Sequence, residues 1–203
     1  MGINQRNKQE SKQKLIDAVG TIILREGFKG IGINSVAKEA GVDKVLIYRY
    51  FNGMEGLLFE YIKQKDFYIS TSGTFQGEIE RTEKHELTNV ISKVLIGQLR
   101  GLIQNRELQE LMLWEMVEKN ELTLAIAKER EEIGYEISKT MKSKMSLSDN
   151  DSDAIIALLV AGIYYLVLRS RTVDIFNGIK INTEEGWQQI EVAIQRMIDS
   201  YFK

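Results

Sequence analysis

Proline is absent from this chain of 203 residues. Proline removes a backbone donor and clashes with the preceding helical turn, so a chain without it meets no enforced break. Long helices are therefore permitted, and the apolar residues use that freedom. Leu15, Ile16, Val19, Ile22 and Ile23 recur at the spacing of one helical face. This predicts a helix over about 11–26, ended by Gly27. Two short helices are expected near 35–40 and 44–51, separated by Gly41 and stopped by Asn52-Gly53. Longer ones are expected near 55–68, 84–104, 107–119, 122–145, 154–171 and 184–202. Residues 70–83, "STSGTFQGEIERTE", read as a linker or mobile loop. No internal repeat and no alternating strand pattern with hairpin turns is evident, so the predicted class is all-α.

Charge divides the chain. Residues 1–65 carry eleven Lys and Arg against seven Asp and Glu, while the whole chain has a net charge of −2. The first third thus has a surplus of four positive charges, and the remainder is acidic. That asymmetry points to a polyanion met by the N-terminal part alone. Cysteine is absent, which excludes disulfides and thiolate metal sites and fits a reducing cytoplasm. The polar start, "MGINQRNKQESKQK", lacks the apolar core of a secretory signal. The apolar run Ala154–Leu168 is shorter than the roughly 20 residues that span a bilayer. It reads as a buried helix covered on every side, with no membrane partner.

The most informative spacing lies between Val36 and Ile47. Ala37 stands four residues before Gly41 and Ile47 six after it, the spacing of a helix-turn-helix. A small alanine lets two helices approach, and a glycine supplies positive φ at the tight turn. Val36, Val42 and Ile47 fill the small core. At about 100° per residue, Lys44, Val45 and Tyr48 share the opposite arc, flanked by Arg49. Cations can reach phosphates or guanine edges, valine can meet a thymine methyl, and Tyr48 and Tyr50 carry hydroxyls for phosphate oxygens. A solvated helix face is the alternative for these residues taken alone; the turn spacing favours DNA.

The stretch "INSVAKEAGVDKVLIYRYFNGMEGLL" resembles the DNA-binding domain of the TetR family of bacterial repressors. The likeness is carried by the Val-Ala pair, Ala40-Gly41-Val42, Ile47-Tyr48-Arg49-Tyr50-Phe51 and Leu57, and it covers 14–58. It implies that Asn34, Lys44, Val45 and Tyr48 face base edges or adjacent backbone. It places Leu46, Tyr48 and Tyr50 along a phosphate strand. Two positions depart from the family pattern. Gly32 stands where threonine commonly caps the second helix, leaving that role to Asn34 or Ser35. Met54 stands where a lysine commonly contacts phosphate, although a helix N-terminus itself favours an anion.

The expected organisation is a three-helix DNA-binding domain over 1–53 and a larger helical effector-binding and dimerisation domain over 54–203. Trp187, Ile190, Ile194, Met197 and Tyr201 follow one another at three- and four-residue steps, a seam for another helix. Ala157 and Ala161 are small and one turn apart, which permits close approach. Two such helices per chain would make a four-helix interface in a homodimer; the alternative is that both pack within one chain. A dimer suits a palindromic operator, because a lone recognition helix reads only a half-site. The resemblance implies an effector cavity among the middle helices. Met112, Trp114, Met116, Tyr164 and Tyr165 are its candidate lining, though such residues also serve as plain core.

Little else carries chemistry. His85 is the single histidine and has no obvious partner, so no nucleophile–base pair can be read. "DNDSD" at 149–153 resembles the start of a calcium loop, but Ala154 and Val160 stand where its glycine and final acid belong. It reads as a helix cap instead. No cofactor and no enzymatic activity is expected. The reading is a DNA-binding transcriptional repressor released by a small, mostly apolar ligand. Its rivals are a helical homodimer that no longer reads DNA sequence, and an architectural DNA-bound protein without an inducer.

Overall fold

The computed structural model describes residues 3–145 and 151–202. Among them are ten α-helices and one short hairpin, arranged in two compact units. The first unit ends at Asp66 and also includes Arg106–Lys128; the second comprises the rest.

In the first unit, α1 (Ile3–Glu26) starts well before the sequence pattern announces it. Its apolar face is fully used, with Leu15, Ile16, Val19, Ile22 and Ile23 all buried. Helix α2 (Ile33–Ala40) packs on it through Val36 and Ala37. Gly41 then takes the left-handed conformation, φ 64°, and the Val42 amide donates to the Ala37 carbonyl at 3.1 Å. That is the αL closure glycine permits at low cost. Asp43 Oδ1 accepts the Val45 amide at 2.8 Å and so caps α3 (Val45–Phe51). Asn52 and Gly53, both at positive φ, turn the chain into α4 (Met54–Lys65). Added at Gly56, a Cβ would lie 1.8 Å from the Phe51 carbonyl oxygen, so α3 and α4 meet at a point only glycine allows.

Helix α7 (Arg106–Val117) completes this unit against α1. The buried Tyr61 hydroxyl donates to Glu107 Oε2 at 2.7 Å, and Lys65 pairs with the same oxygen at 3.2 Å. Burial foremost, then the Glu107 hydrogen bond and charge, push the Tyr61 phenol well above its ordinary range. Phe28 stacks face to face on Trp114, ring centroids 4.3 Å apart.

The second unit contains the stretch expected as a loop. Residues Phe67–Arg81 form helix α5. Ser, Thr and Gly disfavour helix locally, but Phe75 and Ile79, one turn apart, are buried where α5 packs on α6 (Leu87–Gln104). Tertiary burial outweighs the intrinsic propensity. Lys144, in the last turn of α8 (Glu121–Met145), donates to the carbonyls of Glu80 and Thr82 at the end of α5. Helix α6 is central, buried through Leu87, Val90, Ile91, Val94, Leu95, Leu99 and Leu102 against α5, α9 (Asp151–Arg169) and α10 (Glu184–Tyr201). Arg100 of α6 grips Glu184 with two 2.7 Å bonds and also binds Glu191, tying α6 to α10.

A small hairpin stands outside the all-α expectation. Strands β1 (Ile175–Phe176) and β2 (Ile179–Lys180) pair antiparallel. Asn177 and Gly178 between them both have positive φ, the requirement of a tight two-residue hairpin turn. The polar break expected at 146–153 lies, for residues 146–150, outside the described residues.

Candidate nucleic-acid interface

Helix α3 is held from behind and open in front. Ile47 is completely buried and Phe51 nearly so, while Val45 is 60% exposed and Tyr48 55% exposed. An exposed valine beside an exposed tyrosine has no reason in the chain's own packing. Lys44 and Arg49 are exposed on either side, and Leu46 and Tyr50 are half-buried along the flanks. Asn34, exposed in the first turn of α2, stands close to Lys44, its Oδ1 3.5 Å from the ammonium. The seven residues expected to meet DNA thus lie on the helix-turn-helix, with the five most polar or exposed of them facing outward.

Neither α2 nor α4 has a side-chain cap at its start. Gly32 offers none, and Ser35 turns its hydroxyl back toward the Gly30 and Gly32 carbonyls at 2.8 and 3.0 Å. Ser35 therefore does not replace the missing threonine. Two helix N-termini with free amides remain, each a favourable place for an anion.

These features coincide with a known pattern. Residues 15–61 match the profile of bacterial regulatory proteins of the tetR family. The likeness to the tetR family is thus carried by residues 15–61. A stretch of 94 residues is 31% identical to the fatty acid metabolism regulator protein of Bacillus subtilis strain 168, covering 43% of this chain and 45% of that one. A stretch of 90 residues is 30% identical to the HTH-type transcriptional regulator BetI of Vibrio atlanticus strain LGP32, covering 44% of each. The matches thus span under half the length of these curated relatives. Two solved structures share the fold over nearly the whole chain. One is described as a fatty acid metabolism regulator of Clostridium perfringens, with TM-score 0.62, 18% identity and coverage of 90% of this chain and 97% of that one. The other is the Bacillus subtilis transcriptional regulator FadR in complex with stearoyl-CoA, with TM-score 0.61, 14% identity and coverage of 92% and 96%. At those identities they establish the fold alone.

The other tetR-type expectations fall in two places. On α9, Ala157, Ala161, Tyr165 and Leu158 are exposed, Leu158 by 73%. The helix expected to be covered on every side is covered on one, through Ile163, Val167 and Leu168. By length and composition Ser152–Arg169 is also apolar enough to cross a membrane. The α10 seam divides. Trp187 and Ile194 are buried in their own unit with Ile198, Ile190 is intermediate, and Met197 and Tyr201 are exposed. The three-four spacing therefore marks two faces: one packs inside the chain and the other is open.

The proposed lining residues do not form one group. Met112 is buried in the first unit, Trp114 lies on Phe28, and Met116 is 60% exposed. In the second unit, the Tyr164 hydroxyl accepts from Gln98 Nε2, and Tyr165 is exposed and edge-on to Phe176. Of these five, Tyr164 alone joins a buried polar partner, since Gln98 is 6% exposed. Sequence patterns also passed over Lys8 and Lys12. Their ammonium groups lie 5.7 Å from the Tyr50 ring centroid and 5.4 Å from that of Phe51. Such contacts contribute about 0.5–1 kcal/mol at exposed sites. The signal was available as two lysines one helical turn apart in the polar N-terminal run.

Proposed function

We propose that this chain is a dimeric, sequence-specific transcriptional regulator whose hold on DNA is relieved by a mostly apolar effector. The observation that carries the reading is the outward face of α3: Val45 and Tyr48 are exposed between Lys44 and Arg49 while Ile47 fixes the helix from behind. Tyr48 and the cations suit phosphate and guanine; Val45 suits a thymine methyl. Asn34 at the start of α2 stands 3.5 Å from the Lys44 ammonium, which supports a contribution of α2 to the same contact.

The open faces of α9 and α10 support the dimer. Leu158 and Tyr165 of α9 and Val192, Met197 and Tyr201 of α10 are exposed large apolar residues. A second copy that buries them would present two recognition helices to the two halves of a palindrome. The B. subtilis neighbour is titled as a stearoyl-CoA complex, so long-chain acyl thioesters are the effector class to try first. An effector of this kind acts by preferring the conformation that binds DNA less well.

The test uses duplex DNA from upstream of the chain's own gene, against random duplex at moderate salt. A preference of at least about a thousandfold is expected, together with release by an acyl-CoA. Equal affinity for both duplexes removes the sequence-specific reading.

A further inference from the structure

We infer that Lys8 and Lys12 of α1 form a second DNA-backbone contact beside the recognition helix, taking phosphates outside the base-reading face. The inference rests on the DNA-binding reading above and adds a site to it.

Several cations of the first unit are already satisfied by carboxylates. Lys14 pairs with Glu10 at 3.2 Å, Arg25 with Glu26 and Glu39 at 2.8 and 2.9 Å, and Lys65 with Glu107. Among the described residues, Lys8, Lys12, Lys44 and Arg49 have no carboxylate partner. Arg6, Lys29, Lys38 and Lys119 make no ion pair either, but Lys8, Lys12, Lys44 and Arg49 are the ones on or beside α3. Lys8 and Lys12 are one turn apart and share a face of α1, whereas Glu10 lies on the opposite side. The other carboxylate near the α3–α4 junction, Glu55, is exposed and makes no ion pair with either lysine.

The aromatic contacts fix where these lysines point. Lys8 sits over Tyr50 and Lys12 over Phe51, the last turn of α3. A ring orients an ammonium but does not neutralise it, so each keeps a full charge to offer. Met54, immediately beyond that turn, supplies no charge where a cation is expected. The lysines of α1 stand at the same end of α3 and can furnish it from another element. Duplex phosphate is the occupant that fits: the surface is cationic and adjoins the exposed Val45 and Tyr48.

The experiment compares wild type, the double variant Lys8→Gln/Lys12→Gln and the charge-conserving Lys8→Arg/Lys12→Arg on both the upstream duplex and a random one. Affinity is measured across a salt series. For the glutamine variant, binding to both duplexes should weaken by a similar factor, about tenfold near 0.1 M salt, and the logarithmic salt slope should flatten by about 0.9 for each phosphate no longer neutralised. The arginine variant should keep the wild-type slope. An unchanged slope in the glutamine variant overturns the inference, as does weakening confined to the upstream duplex, which would mean that the lysines only position α3. If wild type binds random duplex alone, sequence-specific reading fails while the slope comparison still decides this site. If wild type binds no duplex, both fail.

Discussion

Gly56 is where a simple propensity argument and the packing disagree, and alanine there separates them. In a helix interior, replacing glycine with alanine stabilises by about 1 kcal/mol. At Gly56 the new Cβ would lie 1.8 Å from the Phe51 carbonyl oxygen and 3.0 Å from its carbonyl carbon. Both clashing atoms are main chain, so no rotamer change relieves them and the two helices must move apart. Overpacking costs about 1–3 kcal/mol even where side chains can yield. The clash therefore wins, with a net loss of about 2 kcal/mol, or roughly 4–8 °C in melting temperature for a chain of this size. Gly73 in α5 is the control, because nothing lies within 4 Å of its added Cβ. Gly73→Ala should raise the melting temperature by about 2–4 °C. Calorimetry of the two variants beside wild type reads both signs. DNA affinity should fall with Gly56→Ala, since Phe51 ends the recognition helix. A Gly56→Ala protein as stable as the Gly73→Ala one would refute the close approach of α3 and α4.

Other outcomes follow from the same geometry. Lys44→Ala and Tyr48→Ala should each cost about 1–3 kcal/mol in specific DNA binding; because both residues are exposed, circular dichroism melts should stay within about 2 °C of wild type. Leu158→Glu places a charge in the open apolar face of α9 and should weaken self-association at least about a hundredfold, read by sedimentation equilibrium. Tyr61→Phe removes the donor to Glu107 and should cost about 1–2 kcal/mol in denaturant unfolding. The wild-type phenol titrates higher when folded than when unfolded, so its contribution is full below about pH 10 and is lost as pH rises beyond it. The gap between wild type and Tyr61→Phe should therefore narrow at strongly alkaline pH; a constant gap would argue against a buried, neutral phenol.

The helix-turn-helix was legible because its signals are local. A glycine at positive φ, a small alanine four residues earlier and a buried Ile47 each have one conformational meaning, and Val45, Tyr48 and Arg49 follow by periodicity. The second unit was harder for a physical reason. Residues 70–83 have loop composition, and only the burial of Phe75 and Ile79 on α6 makes them a helix. Periodicity also reports that a face is apolar without saying what covers it. Trp187 and Met197 belong to the same seam in sequence, yet one is buried in its own chain and the other is open. The Asn177-Gly178 hairpin did have a sequence signal, the dipeptide between Ile-Phe and Ile-Lys, but its strands are only two residues long. For the effector, the residue types Met, Trp and Tyr were a poor guide. Trp114 is accounted for by Phe28, whereas the buried pair of Gln98 and Tyr164 needed coordinates to be seen.

The uncovered side of α9 has a consequence for the life of a single chain. Leu158 and Tyr165 face water on a helix that is by length and composition apolar enough to cross a membrane, so a single copy carries an apolar surface outward. Whatever covers that surface stabilises the fold by mass action, and the gain grows with the logarithm of the partner's concentration. If a second copy is what covers it, as proposed, dilution removes stability as well as assembly. The melting temperature of the chain would then depend on how much of it is present, and its lower working limit would be set by supply as much as by affinity for DNA.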